Sequence, residues 1–308
     1  MKKINGFLLV NKPQGITSHD AVVEVRRLTG VKRVGHCGTL DPFAEGLLLV
    51  CVGEATKLSQ FMMHLNKRYT GEMLLGATSD TYDRDGKIVI NDPCPDIPRE
   101  QIARSFRKFV GTIDQYPPLY SAIKVRGKKL YQYARKKKKI MPKSRKVKVF
   151  RLALTGYKPP FVKFEAFVGS GTYLRSIAYD VGEDLGCGAY LNALTRTQIG
   201  IFSSKNALSL GEVKKKRKKI EEFLLPPVKA LVHLKQIRIP ENLEVEARNG
   251  HKLTLPVSAT EQKNYKKGEL IRVIDSKNLL LGVFEVQKLP RRPQRMVCLI
   301  PVRVFGGI

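Results

Sequence analysis

The chain has 308 residues, with 56 Lys and Arg against 27 Asp and Glu, a net charge of +29, and 43% hydrophobic residues. That length suggests about two domains with a substantial core, and the cationic excess points to a polyanionic partner. No apolar run approaches the roughly 20 residues of a spanning helix, and residues 1–15 are too soon interrupted by polar and turn residues for a secretory leader. A cytosolic location and no membrane partner are expected. Five scattered cysteines, Cys37, Cys51, Cys94, Cys187 and Cys298, contain no C-x-x-C pair, which disfavours disulfides and structural zinc.

Residues 4–10 read as a strand ended by the turn Lys12-Pro13-Gln14-Gly15. Ser18 or Asp20 can cap a helix running through Val22, Val25 and Leu28 to a stop at Gly30. The stretch GHCGTLDPFAEGLLLVCV, residues 35–52, then joins a polar loop to an apolar run. Residues 47–52 are too few for an ordinary helix and rich in branched side chains, so they read as a buried strand. Pro42 pushes Asp41 toward extended geometry and leaves one carboxylate on a loop feeding the core. Asp-Pro pairs also open ordinary turns. His36 beside Cys37 is weak ground for a metal site without a second ligand pair. Residues 56–65 read as helical, and 67–77 alternate as a strand with Tyr69, Gly71, Met73 and Leu75 on one face. Residues 83–86 form a turn, and 87–90 pair back as a hairpin.

Residues 98–110 carry helical periodicity at Ile102, Phe106 and Val110. Two prolines then break regular structure between Tyr116 and Ala122. Residues 124–148 are strongly basic, with Lys136 to Lys139 uninterrupted and Tyr131 and Tyr133 interleaved. Such a segment is either a solvated face or a surface for phosphate contact and base packing. Residues 147–157 and 161–168 alternate like paired strands. A GSGT turn opens a helix over 173–185 with Arg175 in its first turn, where a cation opposes the helix dipole by roughly 0.3–1 kcal/mol. Either that arginine snorkels at the surface or an anion lies nearby. Residues 189–197, with Leu194 and Arg196, read as a short helix, residues 208–225 as a charged helix bearing Lys214 to Lys219, and Pro226-Pro227 as a linker. Beyond 231, short alternating segments at 237–239, 270–273, 279–284 and 296–304 suggest a small all-β domain.

The run GHCGTLDPFAEGLLLV resembles the signature of the TruB family of bacterial tRNA pseudouridine-55 synthases. LLVNKPQGITSHDAV, KRYTGEMLLGATSDTYDRDG, PPLYSAIKVRGKKLYQYAR and GTYLRSIAYDVGEDLGCGAYLNALTR agree with further family segments in order and spacing, over about the first 200 residues. The resemblance implies an α+β fold, with a mixed, largely antiparallel central sheet flanked by helices in a catalytic domain over 1–230. That domain includes the basic RNA-binding insert near 124–148. Residues 231–308 are similar to a PUA domain, a small RNA-binding β-barrel.

The implied reaction flips a T-loop uridine out of tRNA, breaks its C1′–N1 bond and rejoins the base through C5, without metal or cofactor. Asp41 is the implied catalytic carboxylate, acting as nucleophile or as base toward a sugar proton, with Arg175 as its ion-pair partner and Tyr69 beside the base. The resemblance further places Lys12, His36, Tyr173, Leu194, Asp83 and Arg196 around the substrate; packing alone is the rival role for Leu194 and Tyr69. It implies a monomer acting on the T stem-loop without a guide RNA. The competing readings are a non-catalytic RNA chaperone and a catalytic subunit of a guide-RNA particle. Cys37 and Glu45 stand where the family usually has other residues, and the runs 136–146 and 214–219 are more basic than the resemblance leads one to expect.

Overall fold

The computed structural model describes residues 4–91, 96–121, 123–125, 127–136, 140, 142–256, 265–288 and 296–305. Cys94, Ala122, Lys137 to Lys139 and the side chain of Tyr131 lie outside the described residues. The order is β1 (Gly6–Lys12), α1 (Ser18–Thr29), β2 (Val34–His36), β3 (Glu45–Val52), α2 (Ser59–Met63), β4 (Lys67–Leu75), β5 (Ala77–Ser79) and β6 (Ile88–Ile90). There follow α3 (Arg99–Lys108), β7 (Gly111–Gln115), β8 (Lys124–Val125), β9 (Lys128–Lys129), α4 (Leu130–Arg135), β10 (Arg145–Lys158), β11 (Phe161–Val168) and α5 (Leu174–Leu185). Then come β12 (Ala189–Ile199), β13 (Phe202–Ser203), β14 (Leu208–Ser209), α6 (Leu210–Lys216) and α7 (Pro227–Ala230). The chain ends with β15 (Lys235–Arg238), α8 (Glu244–Arg248), β16 (Leu253–Pro256), β17 (Leu270–Ile274), β18 (Leu280–Lys288) and β19 (Met296–Val304).

The central sheet runs β14-β1-β3-β12-β4-β11-β10-β7, with β13 beside β12 and β2 beside β3. It is mixed and largely antiparallel: β14 on β1 and β12 on β3 pair parallel. Strand β3 shows why the apolar run was readable. Leu48, Val50 and Val52 pack with Val22 and Val25 of α1, while Leu47, Leu49 and Cys51 pack with Phe61 and Met62 on the other side. A strand covered on both faces needs hydrophobic residues at every position rather than at alternate ones. Helix α1 is capped by Thr17, not by Ser18 or Asp20. Thr17 Oγ1 accepts from the Asp20 amide and the Asp20 carboxylate accepts from the Thr17 amide, a reciprocal capping box. Gly30, at φ 69°, closes the helix in the left-handed conformation.

Three expectations need correction. Residues 189–197 are not a helix; they form most of β12, paired with β4 and β3. A bulge between Leu191 and Ala193 interrupts the period-2 pattern that would have marked a strand, and long-range pairing overrides weak local helix propensity. Residues 208–225 are broken into β14, α6 and a 3-10 segment Arg217–Phe223, with Lys219 at non-helical φ −122° and ψ 24°. The break lets both Val213 and Ile220 reach the core. Pro226-Pro227 is no loose linker, because Pro226 is the N-cap and Pro227 the first residue of α7, where a missing N–H costs nothing.

The C-terminal residues form a five-stranded sheet, β15-β17-β18-β19-β16, over its own core of Ile237, Val273, Phe284, Val286 and Leu299. This sheet also shares a core with the rest of the chain. Leu280 and Val283 are buried in one cluster with Phe7, Leu58, Phe61, Ala230 and Leu231.

Candidate active site

The loop carrying Asp41 is shaped by buried donors aimed at its backbone. Arg196 of β12, 1% exposed, donates from Nε to the Leu47 carbonyl at 2.7 Å, from Nη1 to Thr39 at 3.1 Å and from Nη2 to Gly38 at 3.2 Å. Gly46 makes this approach possible, at φ 104°, since a Cβ there would sit 2.4 Å from the Arg196 carbonyl oxygen. Lys12, fully buried at the end of β1, donates to the carbonyls of Pro13 and Ile16 at 2.8 Å and of Pro42 at 3.4 Å. Burial lowers its ammonium pKa to about 8. Ser18 accepts from the Leu40 amide at 2.8 Å and donates to the Leu40 carbonyl at 2.9 Å. Asp41 is thus bracketed by fixed backbone on both sides.

Arg175 explains its awkward place in the first turn of α5. That helix has no acidic residue in its first turn and no side-chain cap, so its N-terminal end is electropositive before the guanidinium is added. The offset comes from other elements. Nη2 donates to Asp41 Oδ1 at 3.3 Å, Nε lies 3.2 Å from Asp41 Oδ2, and Nη1 lies 3.2 Å from Asp83 Oδ2. Carbonyls of Tyr120, at 2.9 Å, and Thr81, at 3.3 Å, take further donors. The guanidinium bonds one Asp41 oxygen through Nη2 and faces the other through Nε at ion-pair distance without a hydrogen bond. Its side chain is 6% exposed and that of Asp83 5%, but Asp41 keeps 31%. Of the two carboxylates on this cation, only Asp41 is accessible.

Asp83 is held in turn. Its Oδ1 accepts from Thr81 Oγ1 at 2.6 Å and from the Asp85 amide at 3.1 Å. Burial pushes its carboxyl pKa up, while the Thr81 hydroxyl and Arg175 pull the other way. The preceding Tyr82 has φ 65°, a costly conformation for an aromatic residue. It is retained by a bond from the Leu191 amide to its carbonyl at 2.9 Å and by stacking on Tyr179 at 4.2 Å.

A cavity of about 300 Å³ opens over Asp41, with Tyr69, Tyr173, Arg175, Leu194 and Arg196 in its wall. This is the low end of the range for small-molecule sites. Tyr69 lies half-buried on β4, paired with Arg196 and Ala166 of the flanking strands. Tyr173 has its backbone clamped by the Gln115 side chain, which accepts at 2.8 Å and donates at 3.0 Å, and burial raises its phenol pKa. Lys12, Asp83 and His36 are not in the wall. The first two act from behind it; His36, half-buried on β2, has its imidazole pKa lowered by burial.

Residues 26–174 match the family described as "TruB family pseudouridylate synthase (N terminal domain)", and residues 175–232 match "tRNA pseudouridylate synthase B C-terminal domain". The chain belongs to the TruB family of pseudouridine synthases. It is similar to proteins named tRNA pseudouridine synthase B, among them one from Clostridium tetani, 39% identical over 81% of this chain and 86% of the relative. Another, from Oceanobacillus iheyensis, is 36% identical over 98% of both chains. Among solved structures, a Cbf5-Nop10-Gar1 complex aligns with TM-score 0.76 at 24% identity, covering 98% of this chain and 85% of that one. The archaeal box H/ACA sRNP Nop10-Cbf5 complex gives 0.75 at 24% identity, with 98% and 86% covered. At that identity the structures establish a common fold.

For a TruB member, sequence reasoning missed several supporting residues: Ser18, Gln115, Thr81 and Lys67. Lys67, whose burial lowers its pKa to about 8, lines the cavity and donates to the Met63 carbonyl at 2.6 Å. Gln115 sits one residue before the Tyr116 break, and no local pattern marks it as the clamp on Tyr173.

Proposed function

We propose that the protein isomerises the T-loop uridine at position 55 of tRNA to pseudouridine, acting as a monomer in the cytoplasm without a guide RNA. The observation that carries this reading is Asp41, paired with Arg175 on its buried side and open to the cavity on the other. Exchange of C1′–N1 for C1′–C5 changes no oxidation state, so this chain's residues have to orient charge, exclude water and retain the detached uracil. A cavity walled by Tyr69, Tyr173 and Leu194 suits retention. Extruding the nucleotide costs a few kcal/mol, offset by phosphate contacts from the basic segment 124–148, where Lys128, Lys136, Arg145 and Lys146 are exposed.

Asp41 either attacks C1′ or removes a sugar proton, and in both routes Arg175 keeps the carboxylate ionised and aimed. Deuterium on the sugar carbon beside C1′ would slow the second route alone. Tyr69 packs beside the base and is placed to handle the proton at C5; Tyr173 and Leu194 shape the pocket. Lys12 and Arg196 hold the catalytic loop, Asp83 orients Arg175, and His36 fills the space the base vacates. Residues 1–230 form the catalytic domain and 231–308 a PUA-like RNA-binding unit.

The test is incubation with unmodified tRNA and with a bare T-arm hairpin, followed by chemical mapping of the modified uridine. Conversion of the hairpin at a single site supports the reading. A guide-dependent subunit would leave the hairpin unmodified, and a chaperone would refold tRNA equally well as Asp41→Ala.

A further inference from the structure

We infer that the cationic run 214–219 is a second RNA-binding surface, which grips the body of tRNA outside the T stem-loop. The inference rests on the tRNA reading above and adds a contact that the cavity and the basic insert do not need.

The run leaves the sheet at one edge. β14 pairs parallel with β1, α6 follows at once, and the chain returns where Leu225 exchanges two backbone bonds with Phe7, at 2.8 and 3.0 Å. Val213 and Ile220 are buried at 0% and 2%. With those two anchored, the residues between them are forced outward: Lys214, Lys215, Arg217, Lys218 and Lys219 are exposed and Lys216 half-buried, its Nζ 4.4 Å from the Phe223 ring centre. Carboxylates in the same segment are Glu212, Glu221 and Glu222, so the six cations keep a net excess of three. Glu212 is further engaged by the Ser209 amide and hydroxyl, both at 2.8 Å. Neighbouring Glu24 of α1 pairs with Arg27 at 2.6 Å.

The basic insert 124–148 is rooted at the opposite edge, between β7 and β10. Seven inter-strand steps of ~4.8 Å separate β14 from β7, about 34 Å along the sheet. The cavity lies between these edges, over β12 and β4, and Tyr120 and Ser121 at the root of the insert line it. A stem-loop with one nucleotide in the cavity and its backbone against the insert occupies that side. The lysine run, at the far edge of the sheet, is left for RNA outside the stem-loop. A run of closely spaced, exposed cations on a backbone fixed at both ends suits successive phosphates, which need charge more than geometry.

The experiment compares wild type with K214Q/K215Q/K218Q/K219Q, none of which touches the cavity, on full-length unmodified tRNA and on the isolated T-arm hairpin. The expected result is a KM for full-length tRNA raised tenfold or more near physiological salt, with kcat unchanged and hairpin KM within twofold. The slope of log affinity against log salt should fall for full-length tRNA by roughly 0.9 per lost phosphate contact. Equal shifts for both RNAs, or none, would overturn the inference, as would lost binding to anionic phospholipid vesicles with tRNA affinity intact. Absence of turnover by wild type on either RNA counts against the activity itself; filter binding of the two RNAs still reads the surface.

Discussion

Arg175 and Arg196 are both buried and both reach the Asp41 loop, yet their partners differ in kind. Arg196 donates to the carbonyls of Gly38, Thr39 and Leu47, whereas Arg175 is shared by two carboxylates and two carbonyls. A guanidinium on carbonyls fixes the path of the backbone. One between carboxylates fixes where negative charge resides, and because Asp83 is buried while Asp41 is not, the accessible charge is Asp41's. Stability and turnover should therefore separate between the two arginines.

The largest effect is expected from Asp41→Asn, which keeps volume and removes charge: turnover of unmodified tRNA should fall on the order of 10⁴-fold, as for other groups acting directly in the chemistry. Filter binding should be unchanged, and near-normal turnover would remove Asp41 from the reaction. Arg175→Lys retains charge but loses the fork, so kcat should drop about 10²-fold with little change in KM. Matching rates for the two proteins would mean the observed pairing is dispensable. Arg196→Met instead strips three carbonyls of a donor and should cost about 3 kcal/mol in urea unfolding; an unshifted midpoint would refute its structural role.

Smaller effects probe how Arg175 is held. Tyr179→Ala removes the ring that supports strained Tyr82 and should lower kcat roughly fivefold, about 1 kcal/mol. Tyr179→Phe should restore it, since stacking needs only the ring. Last is Asp180, on the same helix as Arg175, where burial and the Glu183 carboxylate raise the pKa from 3.8 to about 6. Between those values the folded protein binds the extra proton, so this group's contribution to stability declines as pH rises through the window. Asp180→Asn should gain about 1 kcal/mol above pH 6, since partial solvent exposure screens much of the shift, and nothing below pH 4. A uniform gain at all pH values would point to packing instead.

Much of this was legible in one dimension. The unbroken apolar run marked β3, Gly30 marked a helix end, and the dipole conflict at Arg175 left a choice between a snorkelling side chain and a nearby anion, which Asp41 and Asp83 decide. The misreadings have one physical origin. β12 reads as a helix in sequence because its bulge erases alternation, and residues 208–225 read as one helix because local sequence does not reveal that Val213 and Ile220 must both reach the same core. Tyr82 and Gln115 carried no local signal, since strain and clamping depend on what lies opposite.

By itself, the sequence determined the chemistry available: a lone carboxylate on a rigid turn, an arginine out of place, and a surplus of positive charge for RNA. Tertiary structure alone decided which carboxylate stays reachable. Burial of one face of the guanidinium against Asp83, through contacts between residues 92 apart in the chain, leaves Asp41 as the carboxylate of the pair that lines the cavity, and such exclusion of solvent is a property of packing that no local pattern encodes.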